Sequence, residues 1–512
     1  MPDAPELPPN EWWRTAVIYQ IYPRSFADSD GDGVGDLRGA TGRLEHVRDL
    51  GAAAVWLSPI YRSPMADFGY DIADHSDVDP LFGTLDDADA LIARAHEIGL
   101  KVLLDFVPNH TSDRHPWFAE SRSSTDNPKR SWYVWRPGDR PPNGWIAAFG
   151  DQVPAWTRDP TTDEWYLHSF LPQQPDLNWD EPAVEAAMHA VLRFWLRRGV
   201  DGFRIDVAHA IGKDPDLRDN EPGRSHKEDW PSVHPRLAGI RRVLEEFDGD
   251  RVAVGEVYLL DQHRLAPYVT TGDELHLAHN FVFLNLPWSS ERFRDVVDEF
   301  EELTRDGGWP AWCLNNHDHS RTATRYGWAR ARVAAMLVLT LRGTPFLFQG
   351  EELGLTDVPI GPQRIVDVDG RDPERAPIPW EPPSEAGPGA GFSTGEPWLP
   401  VHPDAEHLAV SVQAQDTGST LTFYRELLRL RAATPALHSG TYRPVTAPPD
   451  VYAFMREHEG RRVLVALNFA PFARPLPAEA AGGRLLLLST HADPGEGELA
   501  ADEGRIIKLG DG

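Results

Sequence analysis

Eight short runs rich in Val, Ile, Leu and aromatic residues recur along the first two-thirds of the chain: AVIYQIYPRSF from Ala16, AAVWLSPI from Ala53, KVLLDFV from Lys101, GFRIDVA from Gly202, VAVGEV from Val252, HLAHNFVFL from His276, WCLNNHD from Trp312 and PFLFQGEE from Pro345. Between them lie segments apolar at i, i+3 and i+4, such as LDDADALIARAHEIGL and EAAMHAVLRFWLRRG, each closed by a glycine of the kind that ends helices. Strands alternating with helices imply parallel pairing, and eight such units predict an α/β (β/α)8 TIM barrel.

Two stretches break the alternation. The interval after the third strand, His115 to Gln174, is rich in Trp, Pro, Asp and Gly without helical period, which predicts a small inserted domain over 110–174. After a last helical pattern, LTFYRELLRLRAATPAL, the runs VYAFMRE, RRVLVALNF, RLLLLS and RIIKLG alternate and are divided by turn residues. They predict a C-terminal antiparallel β-domain over 438–512, leaving 1–109 and 175–437 for the barrel.

Composition narrows the function. Of 512 residues, 79 are acidic and 50 basic, a formal charge of −29 that leaves no means of displacing a polyanion's counterions, so nucleic acid is not an expected partner. The single cysteine, Cys313, excludes an internal disulfide and reads as a buried thiol. The opening MPDAPELPPN lacks the basic and apolar regions of a secretory signal, and the longest apolar run, VAAMLVLTL, is halted by Arg342. The expectation is a cytoplasmic protein without a membrane span, monomeric or weakly self-associating. Eighteen tryptophans would suit stacking on sugar rings, although cores use them as well.

In a barrel of this kind chemistry sits where strands end. In GFRIDV, Arg204 and Asp206 are two apart and share a face, while Phe203, Ile205 and Val207 face the helices. A guanidinium beside Asp206 favours the ionised carboxylate that a nucleophile needs. Glu256 follows apolar or small residues in VAVGEV, a setting that raises a carboxyl's pKa and suits a general acid. Asp105, Asn109 and His110 end the third strand, and Asn316, His317 and Asp318 the seventh; the ligand spacing of a zinc site is missing. Two carboxylates of divergent acidity with a third to hold hydroxyls match the needs of retaining glycoside hydrolysis.

The run DSDGDGVGD places Asp28, Asp30, Asp32, Val34 and Asp36 at alternate positions, with Gly33 at the glycine position of an EF-hand count. Position 12 is Gly39 rather than glutamate, and a strand rather than a helix enters the loop. A structural Ca2+ or Mg2+, with the Val34 carbonyl as a further ligand, is expected.

Together DFVPNH, GFRIDVAHA, GEVYLL and NNHDHSR resemble, in order, the four signature regions of the α-amylase superfamily, glycoside hydrolase family 13, and QPDLNW and GTPFLFQGEELG are similar to its auxiliary regions. QPDLN resembles the oligo-1,6-glucosidase and α-glucosidase branch. The resemblance spans nearly the whole chain. It implies Asp206 as nucleophile, Glu256 as acid/base and Asp318 as the carboxylate gripping the sugar's hydroxyls. It further implies that Asp71 and Arg371 hold a non-reducing glucose, that Tyr70 stacks on it, that His110, Arg204 and His317 surround the reacting ring, and that Phe149 and Phe170 are aromatic walls. A metal loop after the first strand is also a feature of the branch. The implied substrate is a small α-glucoside attacked from its end, with a glucosyl-transferring or isomerising enzyme, of the trehalose or isomaltulose synthase kind, as the alternative. Val207 after the nucleophile resembles the α-1,6-preferring members, whereas the following AHA resembles α-glucosidases of mixed preference.

Overall fold

The computed structural model describes residues 11–510; the opening stretch MPDAPELPPN, which carries the expectation of a cytoplasmic protein, lies outside the described residues. Eight parallel strands form one sheet: β1 (Ile18–Ile21), β2 (Ala54–Leu57), β3 (Lys101–Phe106), β4 (Gly202–Ile205), β5 (Val252–Gly255), β6 (Leu277–Ala278), β7 (Ala311–Trp312) and β8 (Thr344–Phe348). Their order is β6-β5-β4-β3-β2-β1-β8-β7, and a parallel bridge from His279 to Ala311 joins the two ends. The sheet is a closed barrel.

Such strands are buried on both faces, which is why they read as continuous apolar runs. Along β2, Ala54 and Trp56 face an inner cluster with Ile18, Leu103 and Val254, while Val55 and Leu57 pack outward among helix residues such as Leu44 and Leu91. Trp12 and Trp13 join the inner cluster. The sixth run is only part strand: after Leu277–Ala278, Asn280 accepts from the amide of Phe283 and caps a short helix, Phe281–Leu284, so the apolar FVFL packs as helix.

Polar side chains start the outer helices where the pattern requires. Asp36 caps Leu37–Leu50 through the Gly39 amide at 2.8 Å, and Thr84 and Asp87 form a reciprocal capping box on Leu85–Glu97. Gly99 and Gly199, at φ +84° and +103°, follow the helices Leu85–Glu97 and Pro182–Arg197 in a conformation that costs other residues strain. The apolar VAAMLVLTL lies in the buried helix Trp328–Thr340 and just past it; no described helix is long and apolar enough to cross a membrane.

Between β3 and β4 the chain builds a three-stranded antiparallel sheet, Trp135–Arg136, Trp165–Leu167 and Trp156–Arg158, over an aromatic cluster that includes Phe118, Tyr133 and Tyr166. The C-terminal part is a five-stranded antiparallel sheet in the order Thr441–Pro444, Val451–His458, Arg461–Asn468, Gly504–Leu509 and Gly483–Ser489. The tryptophans serve these cores: Trp56, Trp145, Trp195, Trp312 and Trp380 are all fully buried. Cys313, just past β7, is buried with its Sγ 3.8 Å from His279 Nδ1, and burial pushes the thiol up to about 12.

Candidate active site

Register alone brings the first charged group together. Arg204 on β4 is the Cα partner of Asp105 on β3 and of Val254 on β5, and its side chain points into the barrel mouth between them. Its Nη1 donates to Asp105 Oδ1 at 2.7 Å and to Asp206 Oδ1 at 2.6 Å, and its Nη2 to Glu256 Oε2 at 2.5 Å. The Trp56 ring lies 5.1 Å from the guanidinium and donates its Nε1–H to Asp105 Oδ2 at 3.2 Å. One cation thus serves three carboxylates. Burial raises Asp206 well above the usual carboxylate range; Arg204 opposes this and favours the ionised form, the direction expected of it, while Glu256 and Asp105 add to the rise. Burial likewise lifts Asp105 to about 6 against the pull of Arg204. Asp206 and Glu256 thus lie side by side on the two arms of one guanidinium. Val207, directly after Asp206, sits at φ +37°, an αL conformation unusual for a β-branched residue, and its N–H donates to Glu256 Oε2 at 3.2 Å.

The seventh strand ends in a second knot. Asp318 Oδ1 accepts from Arg371 Nη1 at 3.0 Å and from Arg375 Nη2 at 2.7 Å, and its Oδ2 lies 3.1 Å from His317 Nε2. The Gln20 amide nitrogen lies 2.7 Å from His317 Nδ1, so that nitrogen accepts and Nε2 carries the proton toward Asp318 and Tyr70. Burial keeps the His317 ring neutral, its pKa far below the ordinary value. Although burial opposes it, the Arg371 and Arg375 guanidiniums hold the Asp318 carboxyl well below the usual range. Asp318 is the anionic member of the trio.

Asp206, Glu256 and Asp318 meet at a cavity of about 370 Å³ walled also by Tyr70, His110, Phe149, Phe170 and Arg371. Tyr70 stacks on His317 with centroids 5.5 Å apart and donates its hydroxyl to Asp105 Oδ2 at 3.0 Å. Phe149 lies 4.8 Å under the Arg371 guanidinium and 5.4 Å from Phe170. Arg204 and His317 sit behind these walls.

Asp71 does not reach the cavity. Its carboxylate accepts from Ser63 Oγ at 2.9 Å and from the amides of Ala66 and Asp67 at 3.0 Å, and so shapes the loop between the paired strands Tyr61–Arg62 and Asp74–Val78. That loop presents Asp67 instead, with Oδ1 2.6 Å from Arg371 Nη2 and Oδ2 accepting from Gln174 Nε2 at 3.0 Å. The same Gln174 nitrogen is 3.1 Å from His110 Nε2. Burial lifts Asp67 to about 6 against Arg371, and drops His110 to about 4.

Comparison with known proteins settles the lineage. The family described as "Alpha amylase, catalytic domain" matches residues 20–440. The chain belongs to the α-amylase family. Within it, the chain falls in the α-glucosidase branch: it is 43% identical over 506 residues to a probable alpha-glucosidase of Rhizobium meliloti (strain 1021), covering 90% of each chain. Among solved structures, it is 40% identical to the alpha-glucosyl transfer enzyme XgtA, with a TM-score of 0.90 over 98% of this chain and 99% of the other. It is 34% identical to the trehalulose synthase MutB of Pseudomonas mesoacidophila MX-45, with a TM-score of 0.92 over 98% and 100%. The chain is a glycoside hydrolase-family enzyme.

In this α-amylase-family chain the acidic loop lies apart from the cavity. Carboxylate oxygens of Asp28, Asp30 and Asp36 come within 4.8 Å of one another. Asp32 stands outside that group and accepts from the Val34 amide at 2.8 Å. Asp28 takes the amides of Asp30, Gly31 and Gly33, and Asp36 those of Ser29 and Gly39. Gly33 packs against the Glu396 carbonyl so closely that any side chain would collide.

The site also recruits residues the sequence reading did not single out. Asp67, Asp367 and Arg375 belong to the Arg371 knot, and Glu228, Tyr258, His319 and Asp369 line the outer cavity. GRDPER carries Arg371 and Arg375 four apart; only coordinates separate the one that reaches the cavity from the one behind it.

Proposed function

We propose that the chain is an exo-acting, retaining α-glucosidase that removes the terminal α-linked glucose of short oligosaccharides. The observation that carries this reading is the Arg204 fork, which holds Asp206 and Glu256 side by side at a cavity whose wall includes the Asp67–Arg371 ion pair. Neighbouring carboxyls favour retention, for which a separation of about 5–5.5 Å is usual, over inversion, which needs about 6.5–9.5 Å to admit a water between acid and base. Asp206 attacks the anomeric carbon while a proton passes from Glu256 to the departing glycosidic oxygen. Water then attacks the glucosyl ester, Glu256 takes its proton, and Asp206 leaves as carboxylate. Asp318, anionic throughout, grips sugar hydroxyls as the ring flattens, and Asp67 with Arg371 holds the terminal glucose and blocks a longer chain from passing through.

Proton NMR of aryl α-glucoside hydrolysis tests it, because all the glucose then comes from the attacked anomeric centre: α-glucose should appear first, and first appearance of β-glucose would sink the proposal. A second reading, transfer of the glucosyl group to another sugar, is supported by the structural likeness to XgtA, an alpha-glucosyl transfer enzyme, and to MutB, a trehalulose synthase. Both readings share the covalent ester and part at the acceptor.

We also propose that the Asp28–Asp36 loop holds a divalent cation, with Asp28, Asp30 and Asp36 as ligands. Support comes from the convergence of their carboxylate oxygens within 4.8 Å.

A further inference from the structure

Arg375 is absent from the cavity lining, and its side chain is only 1% exposed. It is nonetheless fully engaged. Nη2 donates to Asp318 Oδ1 at 2.7 Å, Nε to the His317 carbonyl at 2.7 Å and Nη1 to Asp367 Oδ1 at 3.3 Å, with the Tyr22 ring 5.4 Å from the guanidinium. Asp367 Oδ1 also accepts from Arg371 Nη2 at 2.7 Å, and Arg371 Nη1 reaches the same Asp318 oxygen at 3.0 Å. The four side chains close a ring of charge-assisted bonds.

The two arginines are not equivalent within that ring. Arg371 lines the cavity and faces Asp67, so a sugar entering there competes for its donors. Arg375 has no such exposure, and its contact with Asp318 is independent of what the cavity holds. A carboxylate that must grip hydroxyls in a moving ring needs one anchor that the substrate cannot displace.

We infer that Arg375 is a positioning residue for Asp318: braced by Asp367 and the His317 carbonyl, it fixes one carboxylate oxygen so that the other, beside the His317 ring, meets the reacting sugar. The inference rests on the reading of Asp318 as the carboxylate that grips the sugar. A purely structural part is the rival, because Arg375 also ends the turn Pro373–Arg375, whose last carbonyl accepts from Ser25 Oγ. Ser25→Ala loosens that turn without touching Asp318 and serves as the control.

The test measures kcat and KM on an aryl α-glucoside, per folded molecule, for Arg375→Ala, Arg375→Lys, Ser25→Ala and Asp206→Ala. Misplacement of a catalytic group by about 1 Å costs on the order of 100-fold, so Arg375→Ala should lose kcat on that order with KM changed far less. Arg375→Lys should fall between, since an ammonium cannot span Asp318, Asp367 and the His317 carbonyl together. Millimolar guanidinium chloride should restore part of the Arg375→Ala rate, and Ser25→Ala should keep kcat near wild type. Wild-type kcat in Arg375→Ala, or equal losses in Arg375→Ala and Ser25→Ala, overturns the assignment. If the alanine variant does not fold, wild-type kcat in the lysine variant does so. Activity surviving in Asp206→Ala would instead overturn the hydrolytic reading beneath it; a dead Asp206→Ala beside an unaffected Arg375→Ala condemns the Arg375 assignment alone.

Discussion

Replacing Arg204 by glutamine probes the electrostatics of the site most sharply. The guanidinium contacts Asp206, Asp105 and Glu256 at 2.6, 2.7 and 2.5 Å and is the one cation bonded to all three. With charge centres about 4 Å apart and an effective dielectric of about 20, each attraction is on the order of 4 kcal/mol. Repulsion among the carboxylates and the cost of desolvation cancel much of it. The net effect of a neighbouring guanidinium on a carboxyl is typically a lowering of about 1–3 pKa units, which is about 1.4–4 kcal/mol. In Arg204→Gln that lowering disappears, while burial and carboxylate repulsion, which already raise Asp206, remain. Because the nucleophile must be ionised, the acid limb of kcat/KM should move up by about 1–3 pH units, with at least a tenfold loss on the acid side. The assay is the pH profile of kcat/KM on an aryl α-glucoside, read beside the melting temperature of the same samples. An unmoved acid limb in a folded, weakened variant would refute the claim that Arg204 pulls the acidity of the nucleophile down against burial.

Other outcomes follow from the same geometry. Asp67→Asn should raise KM for maltose by about 10–100-fold, the loss expected for one charge-assisted contact of about 1.5–3 kcal/mol, whereas Asp71→Asn should lower the melting temperature with less effect on KM; the reverse pattern would restore Asp71 as the sugar ligand. Burial lifts Glu351 from 4.5 to about 7 while Tyr424 Oη donates to it at 3.1 Å. A folded-state pKa raised in this way gives stability that is full below about pH 4.5 and lost as pH rises through about 7, an amount of order 3 kcal/mol. Denaturant unfolding of Glu351→Gln should lack that component of the decline, and an unchanged pH dependence would count against it. Chelation, or Asp30→Asn, should lower the melting temperature and leave kcat unaltered; no thermal shift on chelation would mean that backbone amides alone satisfy the acidic loop.

Much of the barrel could be read from the sequence because strands buried on both faces must be apolar throughout: β1 to β6 fall inside the runs that mark them, and β8 begins one residue before its run. The sixth run was ambiguous because FVFL is equally apolar as strand or helix, and the capping bond of Asn280 decides. Arg204 and Asp206 were legible because a strand's period of two fixes direction. Asp67 was not. It lies in an irregular loop with Phe68 and Gly69 at positive φ, where spacing carries no information about which of two aspartates turns inward. Tryptophan content misled in another way: the large rings fill cores, and Tyr, Phe and His line the cavity. The acidity of Asp206 escaped sequence reading because it depends on Asp105 and Glu256, from two other strands, sharing one guanidinium.

In the proposed mechanism Asp206 forms a glucosyl ester with Glu256 as its acid/base partner. Mass spectrometry of the protein after incubation with a fluorinated α-glucosyl fluoride, which forms that ester and hydrolyses it slowly, tests it most directly. One added fluoroglucosyl group is expected, mapped by proteolysis to Asp206 and absent from Asp206→Ala; an adduct on another residue, or complete turnover without any adduct, would contradict this mechanism.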